Sequence, residues 1–562
     1  MADNKLNYII FLALSVVIIF GFTYFFNSPP EETVKEAQDA PETTGGVKES
    51  FDSATSDQVQ DFQDASLPEG GIQDSLKGES VTIQTPLYKA TIDTAGARIL
   101  GWELKKYKES TNGNGELVNL FKNGPPGFST LLKLNGLQIP ELIPFQVLQG
   151  NDITVSEGTK EIVFNWDSPE GISVKKVYEV DASNYLLKQR MEITNTGPDA
   201  LQDRLDILWY GMIEQQGRGE NSREFIAMVS QDVERITDVP EKTEDYRGQI
   251  SWFGYAEKYF MTTFLPETGA DTIIRLSPTQ SENLVRAVFS YPSDTIPGGK
   301  TSIRNWEVYL GPLEHKDIEP VGYNLSESLN YGWFGFLAKP LLDFLKWLNG
   351  YFHNYGISII VITIIIRLAF LPLTVRTMVS MKQMQVKMEK IKPKMDALKE
   401  KFKDDKAKQN SELMKLYSSH GINPLSSLGG CLPLLIQLPV FIALYDVFLH
   451  SIDLRHSSFL WITDLSEPET LFDIPGIGIP FRILPLVMGA SWYVSQKMTP
   501  MAATGSEQMQ LQMKMMQFMP IIFTVLFWSL PSGLILYWTV SNILSIGQQL
   551  YVNRKVASSK GG

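Results

Sequence analysis

Residues 357–373 read ISIIVITIIIRLAFLPL, an apolar run from Ile357 to Leu373 with a single arginine, Arg367, inside it. A bilayer's hydrocarbon core is roughly 30 Å thick, so a spanning helix needs about 17 to 25 apolar residues. The run meets that requirement and predicts a transmembrane helix. The arginine works against insertion, at about 2.5 to 3.5 kcal/mol for a mid-helix position. Thr363 lies one turn earlier on the same face and Ser358 near the outer end, so the run carries a polar stripe suited to a hydrated cavity. Ionisable groups at membrane depth are by default functional. The alternative is an arginine that snorkels to the nearer surface or pairs with another helix. Pro372 and Arg376 downstream place it near the cytoplasmic edge.

The chain has 562 residues, a formal net charge of -13, 43% hydrophobic residues and one cysteine. A polar, acidic first part is followed by an apolar final third. The lone Cys431 excludes an internal disulfide and any cysteine-based zinc site. With five histidines and no HExxH, a zinc protease is excluded. No Walker loop, GxGxxG or GxSxG occurs, which removes ATP-driven pumps and serine hydrolases. No cofactor or metal is implied.

Outward from the run, the order of segments is legible. Tyr8–Phe26 is a first apolar span after Lys5, too long and without an A-x-A site for a cleaved signal, so residues 1–26 read as an anchor. Residues 27–79 lack large apolar side chains and read as a disordered tether. Residues 80–325 read as one domain, in which Val81 to about Leu313 alternates with period two, as in Val81–Ile83, Ile162–Trp166, Val174–Val177 and Ser302–Val308, with turns at Thr196-Gly197-Pro198 and Pro297-Gly298-Gly299. That pattern predicts a β-sandwich. In 326–355, Pro340 starts an amphipathic helix. Leu341, Leu342, Leu345 and Leu348 lie on one side, and Asp343, Lys346 and Asn349 on the other. With Trp333, Phe334, Phe336 and Trp347, it reads as a helix on the outer membrane surface, or alternatively as a core helix of the β-domain.

After the span at 356–375, residues 376–423 are lysine-rich and therefore cytoplasmic. Met381, Met384, Met388, Ile391, Met395, Leu398 and Phe402 form a heptad seam with a kink expected at Pro393. Asp404 and Asp405 cap a second arm, giving a helical hairpin. Its basic face suits anionic lipid, RNA or a ribosome, or is merely solvated. Residues 424–551 hold four further spans, with Lys497–Met516 between two of them on the cytoplasmic side. Residues 552–562 form a short basic tail. Gln437, Thr524, Ser541 and Asn542 add polar groups at membrane depth, either for function or as glue between helices. The methionines from Met498 to Met519 suit a surface that accepts many partners, or simple packing.

The stretches ISIIVITIIIRLAFLPLT (357–374), NPLSSLGGCLPLLIQLPVFIALYDV (423–447) and FMPIIFTVLFWSLPSGLILYWTVSN (518–542), preceded by YGWFGFLAKPLLDFLKWLNGYFHNYG (331–356), resemble the YidC/Oxa/Alb family of membrane protein insertases, in its Gram-negative form. The resemblance implies a polytopic α-helical membrane protein of six transmembrane helices, five of them an insertase core, with a large periplasmic all-β super-sandwich. It implies a hydrophilic groove open to cytoplasm and lipid, with Arg367 and Thr363 as its arginine and threonine. It implies substrate-helix contacts at Leu438, Phe441 and Trp538, of which Leu438 and Trp538 depart from the commoner methionine and tyrosine. It also implies a non-enzymatic inserter and chaperone of nascent membrane proteins, alone or with the Sec translocon. Expected partners are ribosome–nascent chain complexes and membrane lipids, with no specific nucleic acid. The short tail departs from relatives with a ribosome-binding tail. Two rivals remain: a small-molecule transporter or channel built on Arg367, and a mutarotase-like or carbohydrate-binding enzyme built on the β-domain.

Overall fold

The computed structural model describes residues 78–558, leaving out 111–114, 123–128, 136, 138, 141, 214–222, 268–271, 282, 330, 333, 404, 422–431, 476–479 and 499–506. The expected anchor, the tether up to residue 77, Trp333, Asp404 and Cys431 therefore lie outside the described residues. The chain divides into two compact units. One comprises the strands up to Tyr107 with Leu117–Leu313 and Asp317–Leu325. The other comprises Ser326 onward with Lys108–Glu116 and Glu314–Lys316.

The first unit is a β-rich sandwich. A nine-stranded antiparallel sheet runs in the order Asp232–Ile236, Arg223–Val229, Ile250–Glu257, Phe260–Pro266, Thr301–Pro312, Leu186–Asn195, Ile172–Asp181, Thr159–Ser168, Gln146–Val147. Burial alternates along Leu186–Asn195 and most of Ile172–Asp181, as the period-two sequence requires, whereas the central strand Phe260–Pro266 is buried throughout. A second sheet runs Glu244–Arg247, Ile273–Pro278, Leu284–Ser290, Leu201–Met212, Thr295–Ile296, with Ser129–Leu134 also paired to Leu201–Met212. Aromatic rings join the two sheets: Phe264 meets Phe289 at 4.5 Å and Trp209 meets Phe225 at 5.8 Å between centroids. A five-stranded sheet, Leu117–Asn119, Arg98–Lys108, Tyr88–Asp93, Ser80–Gln84, Asp152–Thr154, completes the unit.

The Lys176 side chain points into this core. It is 1% exposed, and its ammonium donates to Ala97 O (3.0 Å) and Thr130 Oγ1 (3.2 Å) with no carboxylate partner among the described residues. Burial lowers it from the ordinary lysine value to about 7.

The second unit is helical. Its helices are α1 (Gly335–Phe352), α2 (Tyr355–Lys401), α3 (Lys406–Ser419), α4 (Leu432–His450), α5 (Leu484–Met498), α6 (Glu507–Leu526) and α7 (Ser532–Ser558). α1 begins at Gly335, so Pro340 lies inside the helix and does not start it. Its buried face is Ala338, Leu342, Leu345 and Leu348, whereas Phe336, Trp347 and Tyr351 are exposed. Lys346 is not on an open polar face. It bridges Glu314 (3.0 Å) and Asp453 (2.8 Å). Asn354 caps α2 by accepting from Ile357 N. α2 runs for 47 residues through Pro372 and Pro393, so the span and the first hairpin arm are one helix, unbroken at Pro393. Among the described residues it is the one helix long and apolar enough to cross a membrane; Gln437–His450 and Gln517–Ser529 are shorter apolar helices. Met388, Ile391 and Met395 of α2 bury Leu413 of α3, with Met384, Leu398, Leu416 and Tyr417 around them. Asp405 caps α3 by accepting from Lys408 N at 3.0 Å. α5 runs to Met498 and α6 begins at Glu507, so all the described residues of the expected Lys497–Met516 connection are helix.

Candidate functional site

α2 and α5 both pack on α7, and α4 touches α2 and α7, so three helices converge where Arg367 faces α7. The Arg367 guanidinium donates to Ser541 Oγ through Nε (2.8 Å) and through a second, shorter bond. Gln437 of α4 donates to the same Ser541 Oγ (2.9 Å) and to Tyr537 OH (2.8 Å). Arg367, Gln437 and Ser541 thus form one cluster, joined by Tyr537, which the sequence reading missed. A tyrosine next to Trp538 at membrane depth was the available signal.

The electrostatics of the cluster are unusual. A guanidinium carries five N–H donors and stays charged. Among the described residues Arg367 meets only neutral oxygen, without a carboxylate, and it remains partly exposed.

Other expected residues sit elsewhere. Thr363 is fully buried, and its hydroxyl donates to Ile359 O one turn back (2.5 Å), so it does not join the cluster. Asn542 turns to α5, donating to Ser491 Oγ (3.2 Å) and Met488 O (3.4 Å). Phe441 is 4% exposed and Trp538 half-buried, in an aromatic cluster with Trp492, Phe523 and Phe527; Phe441 and Trp538 meet edge to face at 4.8 Å. Leu438 is exposed.

The connection between α4 and α5 covers one end of this bundle. Ser532 N donates to Glu467 O (2.9 Å) and Gly533 N to Leu465 O (2.8 Å), fixing the start of α7. A side chain at Gly356 would collide with the Phe459 ring, so glycine is required there. Glu469 accepts from Leu484 N at the start of α5 and from Trp461 Nε1 (2.5 Å).

Outward-facing apolar side chains surround the helices: Leu368 on α2, Phe518, Ile521 and Val525 on α6, Ile543 on α7. A cation between apolar helices, joined in one chain to a β-sandwich, defines an integral membrane protein with a large extramembrane domain. Family models agree: one described as "60Kd inner membrane protein" matches residues 347–559, and one described as "YidC periplasmic domain" matches residues 80–344. Similar chains named membrane protein insertase YidC occur in Pelobacter propionicus (36% identical, covering 85% of this chain and 87% of that one), Citrifermentans bemidjiense (35%, 98% and 99%) and Geobacter sulfurreducens (34%, 98% and 99%). The chain belongs to the YidC family of membrane protein insertases. A galactose mutarotase related enzyme from Lactobacillus acidophilus is similar over 41% of this chain and 97% of that one, at 11% identity and a TM-score of 0.30, too low to carry over a fold or a function.

Proposed function

We infer that this chain inserts membrane proteins into the inner membrane, and that Arg367, Gln437 and Ser541 line the polar part of a groove that receives the incoming segment. The observation that carries this reading is a partly exposed guanidinium that, among the described residues, is held by the neutral hydroxyl of Ser541 and meets no carboxylate. Such a charge is tolerable in a bundle only where water or a ligand solvates its free donors. A substrate carrying polar or acidic groups supplies acceptors, and its apolar helix then leaves sideways into lipid, favoured by roughly 25 cal/mol per Å² buried. No nucleotide is needed.

The groove opens to the cytoplasm and lipid in this proposal. The α4–α5 connection closes the periplasmic end, in keeping with its bonds to the first turns of α5 and α7. Six spans are proposed: the N-terminal anchor, the first half of α2, and α4 to α7. The exposed apolar side chains of α2 and of α4 to α7 support this for the described spans. Both termini are then cytoplasmic, the β-sandwich is periplasmic, and α1 lies on the periplasmic membrane surface. Leu438 is proposed to touch the substrate helix directly, with Phe441 and Trp538 following when the aromatic cluster opens. The Sec translocon and ribosome–nascent chain complexes are the proposed partners, the lysine-rich hairpin meeting the latter.

The test replaces Cys431 with Ser, places a lone cysteine by Arg367→Cys, and adds a membrane-impermeant thiol reagent to each side in turn. Labelling from the cytoplasm alone supports the groove. Labelling from both sides indicates a channel, and labelling from neither places the arginine in packed protein and ends the proposal.

A further inference from the structure

The connection between α4 and α5 carries two apolar projections at the end of the bundle that it covers. The first is the turn 459–462, closed by two backbone bonds of 2.9 Å between Phe459 and Ile462. Leu460 stands at its first corner with φ 53° and is 76% exposed. Left-handed backbone is the ordinary place of glycine or asparagine, and a bulky side chain held there is strained, as segments with a function often are. The neighbouring Trp461 ring is also exposed, while its Nε1 donates to Glu469. Asn354 Nδ2 donates to Ser458 O (3.3 Å) and the Phe459 ring lies against Gly356, so the turn is fixed at the start of α2. The second projection is the hairpin of Phe472–Asp473 with Pro480–Phe481. Phe472 and Phe481 are directly opposed, share a face and stack at 5.1 Å between centroids, whereas Asp473 and Pro480 take the other face. Phe472 is 55% exposed. So short a hairpin is marginal in water by itself.

We propose that Leu460, Trp461, Phe472 and Phe481 seat this connection in the headgroup–acyl boundary of the bilayer, as a collar around the closed end of the groove. The proposal rests on the span assignment above. Continuity with the bilayer-facing side of the helices argues for lipid as the occupant. Ile483, Leu486 and Val487, just before and within the first turn of α5, are exposed. Two residues of chain reach at most about 7 Å, so Phe481 lies that close to Ile483. Arg482 between them does not interrupt the apolar strip, because it is buried and donates to Trp528 O. Beside the other projection, the last turn of α1 exposes Tyr351 and Phe352. The chemistry also suits the boundary. An indole with its N–H bonded and its ring open fits a layer that is apolar on one side and wet on the other. A hairpin with two phenylalanines on one face and an exposed Asp473 on the other lies flat at the surface and does not cross it. Withdrawing the four side chains from water offsets what the strained turn and the short hairpin cost. The collar holds the closure at one depth while a substrate segment enters from the cytoplasm.

The test uses the full-length chain with Cys431→Ser in vesicles of phosphatidylethanolamine and phosphatidylglycerol. Lone cysteines are placed by Leu460→Cys, Phe472→Cys, Asp473→Cys and Ile365→Cys, and each carries a polarity-sensitive fluorophore. Ile365 is exposed and ten residues into α2, about 15 Å along it, and so marks mid-bilayer depth. The quenchers are aqueous iodide, a lipid with a nitroxide near its headgroup and a lipid with a nitroxide near its chain end. The expected result is that labels at 460 and 472 are quenched most by the shallow nitroxide, the label at 473 by iodide and the label at 365 by the deep nitroxide. The unlabelled cysteines are also offered a membrane-impermeant maleimide, so that an apolar fluorophore cannot by itself produce the result. Positions 460 and 472 are expected to react about ten-fold more slowly than 473, the ratio that goes with withdrawing one small apolar side chain from water. Iodide quenching at 460 and 472 equal to that at 473, with 365 still quenched by the deep nitroxide, overturns the collar and leaves the spans standing. Protection of 460 and 472 from iodide and from both lipids means that protein covers them, and overturns lipid as the occupant. A label at 365 that no lipid quenches overturns the span assignment and the collar with it. Should one of the cysteine variants at 460 or 472 fail to accumulate, the other decides the matter.

Discussion

Arg367 and Lys176 are two cations in low-dielectric surroundings, met in different ways. Arg367 keeps its charge and leans on Ser541, whose hydroxyl oxygen also accepts from Gln437. Replacement by Lys preserves the charge and is expected to keep most insertion activity. Arg367→Glu, which also repels acidic tails, is expected to lower it by about ten-fold or more, in line with charge-assisted bonds of roughly 1.5 to 3 kcal/mol. Insertion of substrates with acidic and neutral tails, measured side by side, checks this: equal losses for both exclude electrostatic attraction. Lys176 instead sits near neutrality at about 7, lowered by burial. An unfolded lysine titrates near 10.4, so between about pH 7 and 10 the unfolded chain binds the extra proton. Stability of the sandwich therefore rises with pH across that window, by at most about 1.4 kcal/mol per pH unit. It is flat below the window because both states are then charged. Lys176→Met is expected to abolish the slope, read from thermal unfolding of the full chain at pH 7, 8 and 9. An unchanged slope assigns it to another group. Arg367 was legible in the sequence because a lone charge in an apolar run stands out. Lys176 was not, because Val174-Lys-Lys-Val177 reads equally well with either lysine outside.

At the scale of elements, periodicity located the helices and misjudged their ends. The seam at Met384, Met388 and Ile391 was visible as a heptad, and the structure closes it on Leu413. What the sequence hid was that span and arm are one 47-residue helix, because Pro393 removes one donor without forcing a break when tertiary packing holds the helix on both sides. Replacing Met388 and Ile391 with Asp buries two carboxylates in that seam and is expected to open the hairpin, raising protease sensitivity at Lys399–Lys408 and lowering insertion. Unchanged cleavage and insertion would remove the hairpin from the mechanism. Lys346 was misread for a different reason: helical spacing reports the face, not what covers it, and Glu314 and Asp453 come from distant segments. Burial opposes its charge, but the two carboxylates outweigh that and hold Lys346 above the ordinary lysine value. Burial likewise works against the Glu314 charge, yet Lys316 and Lys346 hold that carboxyl below its usual range. The clamp's contribution is thus full from about pH 5 to 10 and is lost as acid protonates Glu314 below its ordinary value of about 4.3. Lys346→Met leaves Asp453 uncompensated, with Glu314 kept only by Lys316, and is expected to cost about 2 kcal/mol, below the range for a fully buried pair because these groups are partly wet. A melting temperature that matches the native chain at pH 7 would contradict it.

At the scale of the whole molecule, the change of period from two to 3.6 near Leu313 marked the seam in the sequence. The structure refines where a cut leaves each part intact. Thr301–Pro312 lies inside the nine-stranded sheet, paired on both sides with Phe260–Pro266 and Leu186–Asn195. A deletion ending at Tyr291 would therefore leave a 12-residue strand with two open edges, an aggregation hazard unrelated to insertion. Glu314 belongs with the helices through Lys346, so the cut has to stop before it. Removing Ser80–Leu313 is expected to preserve most insertion activity, because every group of the proposed groove lies beyond it; it does take away Lys108 and Glu109, whose carbonyls accept from Arg455 of the α4–α5 connection. Removing Phe334–Leu348 is expected to abolish insertion, because it takes away the buried face of α1, which packs on both α2 and α4. Extending the first deletion through Lys316 separates the two effects: it removes Glu314, one arm of the Lys346 clamp, with its neighbours His315 and Lys316, and should give an intermediate loss that Glu314→Ala reproduces in the full chain. Insertion measured in membranes depleted of the native chain orders the four variants. If the sandwich deletion is as damaging as the loss of α1 while both proteins accumulate, the β-domain takes part in insertion itself and the division of labour drawn at Leu313 is wrong.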